Sequence, residues 1–312
     1  MMHMTQTLVV LGLASAAAVA LAAAAPGPAQ PVVLTTAERA KVLEALAKER
    51  AAAETWLQHD RTSYLATVDR RDFENRTTLT VGRAAGHDVR VDDPAFTAHH
   101  LAVTVDGDRF IVRAVDPQAR FSSKGADTRE AVVDPGLIGV GRFQLRLSHQ
   151  RYPAIIVFDP KSPGFARYKG LRYFAPNLAL RFELALTANP APETVTILST
   201  RGNARRAAKV GWFDVTIEGR PVRLQAVRLL EPGVGEHDLS VFFRDATSGH
   251  ESYPLGRYVD AKRLPDGRYL LDFNSAYNPA CAFSDHYNCP IPQRENVLTV
   301  AIRAGEMDAH YH

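Results

Sequence analysis

Between Thr78 and Leu198 the apolar residues repeatedly fall at every second position, and this alternation limits the possible folds more than any other feature of the chain. Thr78-Leu79-Thr80-Val81, Leu101-Ala102-Val103-Thr104-Val105 and Arg109-Phe110-Ile111-Val112 each place alternate side chains on one face of an extended strand. The last two flank Asp106-Gly107-Asp108, a tight hairpin turn. Phe143 to Leu147, Ala154 to Phe158, Leu178 to Leu186 and Thr194 to Leu198 read as further strands, separated by Gly, Pro and Asn turns. Strands that follow one another without long helices between them do not build a parallel sheet. The expected class is therefore mainly β, made of antiparallel sandwiches or barrels. One helix precedes them: Thr35-Thr36-Ala37-Glu38 has the spacing of a capping box, and Ala40, Leu43, Leu46 and Ala47 recur at helical spacing toward Leu57. Trp56 is expected to pack this helix onto the body.

A second constraint comes from the one long apolar run, Leu8 to Ala25. It ends in Ala23-Ala24-Ala25 before Pro26, the small-residue pattern of a signal peptide cleaved after Ala25. Met1 to Thr7 carries no Lys or Arg, so an uncleaved anchor is the competing reading. The expectation is a periplasmic or secreted protein with no membrane span after cleavage. The 37 basic and 34 acidic residues are scattered and leave a net charge of only +3, so no basic stripe suits a phosphate backbone and nucleic acid is excluded as a partner.

Polar residues gather after Asp245. Arg257-Tyr258 leads through the turn Pro265-Asp266-Gly267 to Asp272-Phe273-Asn274-Ser275-Ala276-Tyr277-Asn278-Pro279, and the chain returns at Glu295-Asn296. Asp266-Gly267 predicts a hairpin between Tyr258 to Lys262 and Arg268 to Phe273. A regular pleat puts Asp272 and Asn274 on one face and Leu271 and Phe273 on the other. Arg257 is then placed to neutralise Asp272, or to bind an anion with Asn274, and Glu295 to do the same from the returning chain. The candidate ligand-binding set is Arg257, Asp272, Asn274, Tyr277, Asn278, Glu295, Asn296, His250 and Tyr253, for a small polar or anionic ligand or an envelope protein, with no cofactor. The opposing reading is a hydrogen-bond network that fixes an irregular loop.

Cys281 and Cys289 enclose seven residues, among them His286. In an oxidising compartment a disulfide is the expected state. Two alternatives stay open: a metal site of Cys281, His286 and Cys289, and a hydrolase or metal-dependent enzyme using Cys281, His250, His286 or Asp272. No Gly-x-Ser-x-Gly elbow or His-Glu-x-x-His motif occurs.

The strings Asp272-Phe273-Asn274-Ser275-Ala276-Tyr277-Asn278-Pro279-Ala280-Cys281-Ala282, Cys289-Pro290-Ile291-Pro292 and Glu295-Asn296, with Phe165 to Phe174, closely resemble the bacterial domain-of-unknown-function family 1684. That resemblance supplies kinship without an activity. Nearer the start, Gly82-Arg83, Asp88-Val89, Asp93-Pro94 and Thr97-Ala98-His99-His100 resemble the signature of forkhead-associated domains. The resemblance implies a β-sandwich whose loops at one end hold a phosphothreonine, with Arg83 and Thr97 as contacts. Ala98 stands where that family has a basic residue, and Ser123-Lys124-Gly125 occupies the place of its Asn-Gly. From the residues alone, Arg83 pairs with Asp88 or Asp93, and His100 satisfies a buried backbone group. The expected division is a signal peptide at 1–25, linker and helix at 26–62, a forkhead-associated-like β region at 63–160, and a second antiparallel β domain, sandwich or barrel, at 161–312.

Overall fold

The computed structural model describes residues 27–308, apart from residues 151 and 232 and the Gln150 side chain. The expected signal peptide and its cleavage point lie outside the described residues. Helix α1 (Thr36–His59) begins at the predicted capping box: Thr35 Oγ1 accepts the Glu38 N–H at 3.3 Å and Glu38 Oε2 accepts the Thr35 N–H at 2.8 Å. It buries only Leu46 and Leu57. Trp56 stays 37% exposed and meets Tyr64 edge-on, with ring centroids 4.8 Å apart.

The first β body holds β1 (Thr67–Asp72), β2 (Thr78–Gly82), β3 (Val89–Arg90), β4 (Leu101–Asp106), β5 (Arg109–Ala114), β6 (Phe121–Ser123), β7 (Ala126–Thr128), β8 (Glu130–Val133), β9 (Gly136–Val140), β10 (Phe143–Gln150) and β11 (Tyr152–Phe158). They form a five-stranded sheet, β3-β2-β4-β5-β8, and a six-stranded one, β1-β11-β10-β9-β6-β7. Pairing is antiparallel except between β2 and β3. The sheets enclose one core, to which one contributes Leu79, Val81, Leu101, Val103, Phe110 and Val112, and the other Phe143, Leu145, Leu147, Ile155 and Val157. Because the side-chain period is two, Arg146, Ser148, Ile156 and Phe158 point out of this sandwich.

After the short helix α2 (Pro163–Arg167) come β12 (Arg181–Leu184), β13 (Thr187–Ile197), β14 (Arg205–Ile217), β15 (Arg220–Leu229), β16 (Leu239–Phe243), β17 (Arg257–Arg263) and β18 (Tyr269–Asp272). They make one antiparallel sheet ordered β12-β18-β17-β16-β15-β14-β13. The β17–β18 hairpin closes where Asp266 Oδ1 accepts the Arg268 N–H. The strand expected over Leu178 to Leu186 is shorter than that: Asn177 caps a 3-10 turn at Leu178–Leu180, so extended backbone begins at Arg181. One face of this sheet buries Phe213, Leu224, Val241, Phe243, Val259 and Leu271. The other carries Ala207, Val227, Phe242 and Tyr258 against Cys281 and Cys289.

The two bodies meet through Leu57, Leu65, Ala282 and Phe283, and through Ala66, Ile156 and Phe158 against Phe165. The returning chain is wedged tightly against the hairpin. Gly305 has φ +75°, and a Cβ there would lie 2.4 Å from the Ala276 carbonyl oxygen and 2.8 Å from that of Phe273. Gly202 has a similar φ of +80° but open space around it. Gly202→Ala is therefore expected to cost about 1 kcal/mol, the conformational penalty alone, and Gly305→Ala on the order of 3 kcal/mol or more, because backbone must move. Urea unfolding of both variants tests the ranking, and equal losses would remove the close approach as the cause.

Candidate functional site

Most of the polar residues singled out after Asp245 bond to backbone. Arg257 on β17 is fully buried: Nη1 donates to the Ala304 carbonyl at 2.5 Å and that of Glu306 at 3.0 Å, and Nη2 to that of Ile302 at 2.7 Å and to Asp245 Oδ1 at 3.3 Å. Burial lowers its pKa even against the pull of Asp245. The expected partnership of Arg257 with Asp272 is corrected: Asp272 pairs with Arg181 across the β12–β18 ladder, where the two residues are in register. Asp272 Oδ1 also accepts from the Asn274 N–H at 3.0 Å and Nδ2 at 2.8 Å. Asn274 in turn accepts the Asn177 N–H at 2.7 Å and donates to its carbonyl at 2.9 Å. Asn278 donates its N–H to Glu306 and its amide to the Met307 carbonyl, both at 2.8 Å. Asn296 bonds both backbone groups of Gln225 and the carbonyl of Phe242. Glu295 lies away from this group, paired with Lys209 at 3.0 Å, and His250 is exposed.

The expected disulfide is also corrected: Cys281 and Cys289 are buried thiols. The Cys281 N–H donates to Cys289 Sγ at 3.2 Å and the two thiols hydrogen-bond to each other. Tyr253 OH reaches Cys281 Sγ at 3.8 Å. Thr200 holds the loop between them, accepting the Cys289 N–H and donating to the Tyr287 carbonyl, both at 3.0 Å. Non-covalent bonds thus do what a covalent staple was expected to do. Among the described residues no three His, Cys, Asp or Glu side chains cluster as metal ligands, so His286 does not complete a site with the cysteines.

In the first body the carboxylates expected for Arg83 are taken. Asp88 pairs with Arg76, and Asp93 with Arg142 at 2.6 Å. The Arg83 side chain is exposed and has no partner among the described residues. His100 is buried, its Nδ1 accepting the Thr97 N–H at 3.1 Å and its Nε2 donating to the Arg120 carbonyl at 3.0 Å.

The feature best shaped for a ligand lies at the seam between the bodies. The outward faces of β1, β11 and β10 bring Arg70, Ile156 and Arg146 into one row, in register across three strands. Opposite stand Arg205, Leu229, Phe242, Tyr258 and Tyr277, and the Tyr287-Asn288-Cys289-Pro290 segment closes one side. They surround a cleft of about 340 Å³ in which no carboxylate forms part of the lining. Arg70 is held by Asp72 at 3.0 Å, and Arg205 is clamped by both oxygens of Glu231. Arg146 has no hydrogen-bond or ion-pair partner among the described residues; its guanidinium rests 4.9 Å from the centre of the Phe158 ring. Tyr64, with its pKa pushed up to about 12 by burial, packs edge-on to Tyr287 at 5.0 Å, and Tyr277 OH donates to Asp260 at 3.0 Å. Of these groups the sequence reading named Tyr277 and the cysteines. Arg146 had a signal of its own, a charge and a serine at the outward positions of a strand whose inward positions are Leu145 and Leu147.

The molecule is thus a two-bodied β protein, a sandwich joined to a single two-faced sheet, with its polar cleft at the junction. Residues 166–307, somewhat less than half of the chain, match the family described as Protein of unknown function (DUF1684). Among curated proteins no sequence matches. An uncharacterized protein of Haloarcula marismortui, solved by NMR, is 35% identical over 47% of this chain and 80% of its own, with a TM-score of 0.39. Forkhead-associated domains also match. One, from a study of phosphothreonine-dependent interactions, is 15% identical over 29% of this chain and 94% of its own, TM-score 0.21. Mycobacterium tuberculosis EmbR in complex with a low-affinity phosphopeptide also matches, 9% identical over 39% of this chain and 32% of its own, TM-score 0.20. Among the described residues no helix is long and apolar enough to cross a membrane.

One buried acid in the network carries a measurable consequence. Burial raises the pKa of Glu306 to about 7, against the opposing pull of the Asn278 N–H, Arg257, Tyr173 and Arg50. The unfolded carboxyl titrates near 4.5, so between these values the folded chain holds a proton that the unfolded chain has lost. This contribution to stability is complete below the unfolded value and is lost as pH rises through about 7. Glu306→Gln, which keeps the shape without the charge, should gain on the wild type by roughly 3 kcal/mol as pH rises from 5 to 8. Urea titrations of both proteins across that range provide the measurement, and a constant difference between them would remove Glu306 as the titrating group.

Proposed function

We propose that this protein binds a small organic anion with a flat, apolar body in the cleft between its two β bodies, and that it does so outside the cytoplasm. The binding reading rests on Arg146, a guanidinium without an ionic partner among the described residues, in a cleft that also carries Arg70 and Arg205. A carboxylate or comparable oxyanion supplies the acceptor such a group lacks. Tyr64, Phe242, Tyr258, Tyr277 and Tyr287 offer faces and edges for an apolar body. The cleft volume of about 340 Å³ is at the lower end of the range usual for small-molecule sites. The polar network around Arg257 serves this site indirectly, by holding the Ala276-Tyr277-Asn278 loop in place. Export is supported by the Leu8 to Ala25 run and its small-residue end, and N-terminal sequencing of protein recovered from its native host would show Pro26 first.

A panel of aromatic carboxylates and their uncharged amides, followed by thermal shift on the full chain, tests the binding reading. The acids should raise the melting temperature saturably and the amides should not. Arg146→Gln should weaken the best acid by about tenfold or more, the loss of one charged hydrogen-bond donor. Its own melting temperature should stay near that of the wild type, because Arg146 holds no ion pair in the folded chain. Equal binding of acid and amide, or unchanged affinity in Arg146→Gln, would sink the proposal.

A further inference from the structure

The two cysteines stand in a wall with a cavity on each side. Cys289 and Tyr287 line the seam cleft. Cys281 lines a second cavity of about 520 Å³ on the surface of the C-terminal body, with Thr200, Arg201, Tyr253, Leu255, Asp285 and Tyr287. The pair is therefore polar in its environment and asymmetric in its access. Tyr253 OH stands 3.8 Å from Cys281 Sγ and 3.3 Å from the Cys281 carbonyl, so its proton can turn to the sulfur. The Cys289 thiol hydrogen-bonds to the same sulfur, while Cys289 itself receives the Cys281 N–H at 3.2 Å.

We propose that Cys281 is a nucleophilic thiol that takes α,β-unsaturated carbonyl compounds from this second cavity. Only one of two adjacent thiols can ionise easily, because a second negative charge beside the first is strongly opposed. Cys281 is that one: the Cys289 hydrogen bond lowers its pKa, helped by Tyr253 and opposed by burial, whereas Cys289 is pushed well above the ordinary thiol value by its bond to Cys281 and by burial. The thiol proton leaves to water. The sulfur then bonds to the β-carbon, the C=C pair moves onto the carbonyl oxygen as an enolate, and the α-carbon recovers a proton from water. Thiol and enone thereby become a thioether with no oxidant or reductant consumed. The chemistry is independent of the anion proposed for the seam cleft, which lies on the other side of the wall, so the two readings stand or fall separately.

The probe is N-ethylmaleimide, a small α,β-unsaturated imide, applied to the full folded chain and followed by mass spectrometry of the peptides. Cys281 should be labelled first, at about one equivalent, and at pH 7 about tenfold faster than the same cysteine in denaturant, since the thiolate is the reacting form. Its rate should reach half of its plateau below about pH 8.5, the value for an unperturbed thiol. Tyr253→Phe and Cys289→Ala should each move that midpoint upward while leaving the plateau rate within about twofold, since each removes a donor without closing the cavity. Cys281→Ser should retain the melting temperature and take no label in the native state. Labelling of Cys289 first, a native rate no faster than the denatured one, or a midpoint unmoved in both donor variants would overturn the proposal.

Discussion

The buried pair of Arg257 and Asp245 is the interaction on which the C-terminal body depends. A guanidinium with no exposure has given up its water, and the recovery comes from three carbonyl oxygens of the Ile302 to Glu306 segment and from the Asp245 carboxylate. Asp245 closes the circuit, accepting the Ile302 N–H at 2.5 Å and the Thr247 hydroxyl at 2.9 Å. A segment without regular pairing is thus tied to the first residue of β17. Glu306 then accepts the Asn278 N–H, and its own N–H bonds to the Ala276 carbonyl at 2.8 Å. Tyr277, between those residues, is fixed where it bounds the cleft, and its N–H and carbonyl bond reciprocally to those of Tyr258. Removing one partner of such a circuit leaves the other buried and unpaired, a cost of about 3 to 5 kcal/mol.

The cleft itself follows from two sheets that each use both faces. The six-stranded sheet of the first body covers a core with its inward residues and turns Arg70, Arg146 and Ile156 outward, while the C-terminal sheet covers its larger core and turns Phe242 and Tyr258 outward. Neither outward face is sufficiently apolar to close completely on the other. Arginines at every second position, with one strand between them, set guanidinium-bearing backbones about 10 Å apart, two strand spacings. Such a row keeps one wall of the seam polar, and tyrosines line it as well.

Period-two alternation made the mainly β class legible, and the capping box at Thr35 and Glu38 marked the start of α1 to the residue. The Asp106-Gly107 and Asp266-Gly267 turns placed two hairpins for the same local reason, since few conformations other than a tight turn suit those pairs. What local pattern could not supply was partnership. Asp272 lies 15 residues from Arg257 in the chain, yet its ion-pair partner is Arg181, 91 residues away, because β12 is the neighbour of β18. The cysteine pair shows the same limit: spacing favours a covalent bond, while the groups that bond to the two thiol residues, Thr200 accepting the Cys289 N–H and Tyr253 donating to Cys281, come from elsewhere in the chain.

A dense run of Asp, Asn, Arg and Tyr therefore has a particular physical meaning here. The amides of Asn274 and Asn278 and the carboxylates of Asp272 and Glu306 each find a backbone group to satisfy, so the run marks a buried irregular loop that has no ladder to use up its own N–H and C=O groups. A ligand site requires the opposite condition, a polar group that folding leaves without a partner. That condition is met by isolated charges on the outward positions of ordinary strands, where alternation demands a polar residue but no neighbour is supplied. Arg146 is such a residue, and its lack of a partner emerges only when β10, β11 and the C-terminal sheet are brought together.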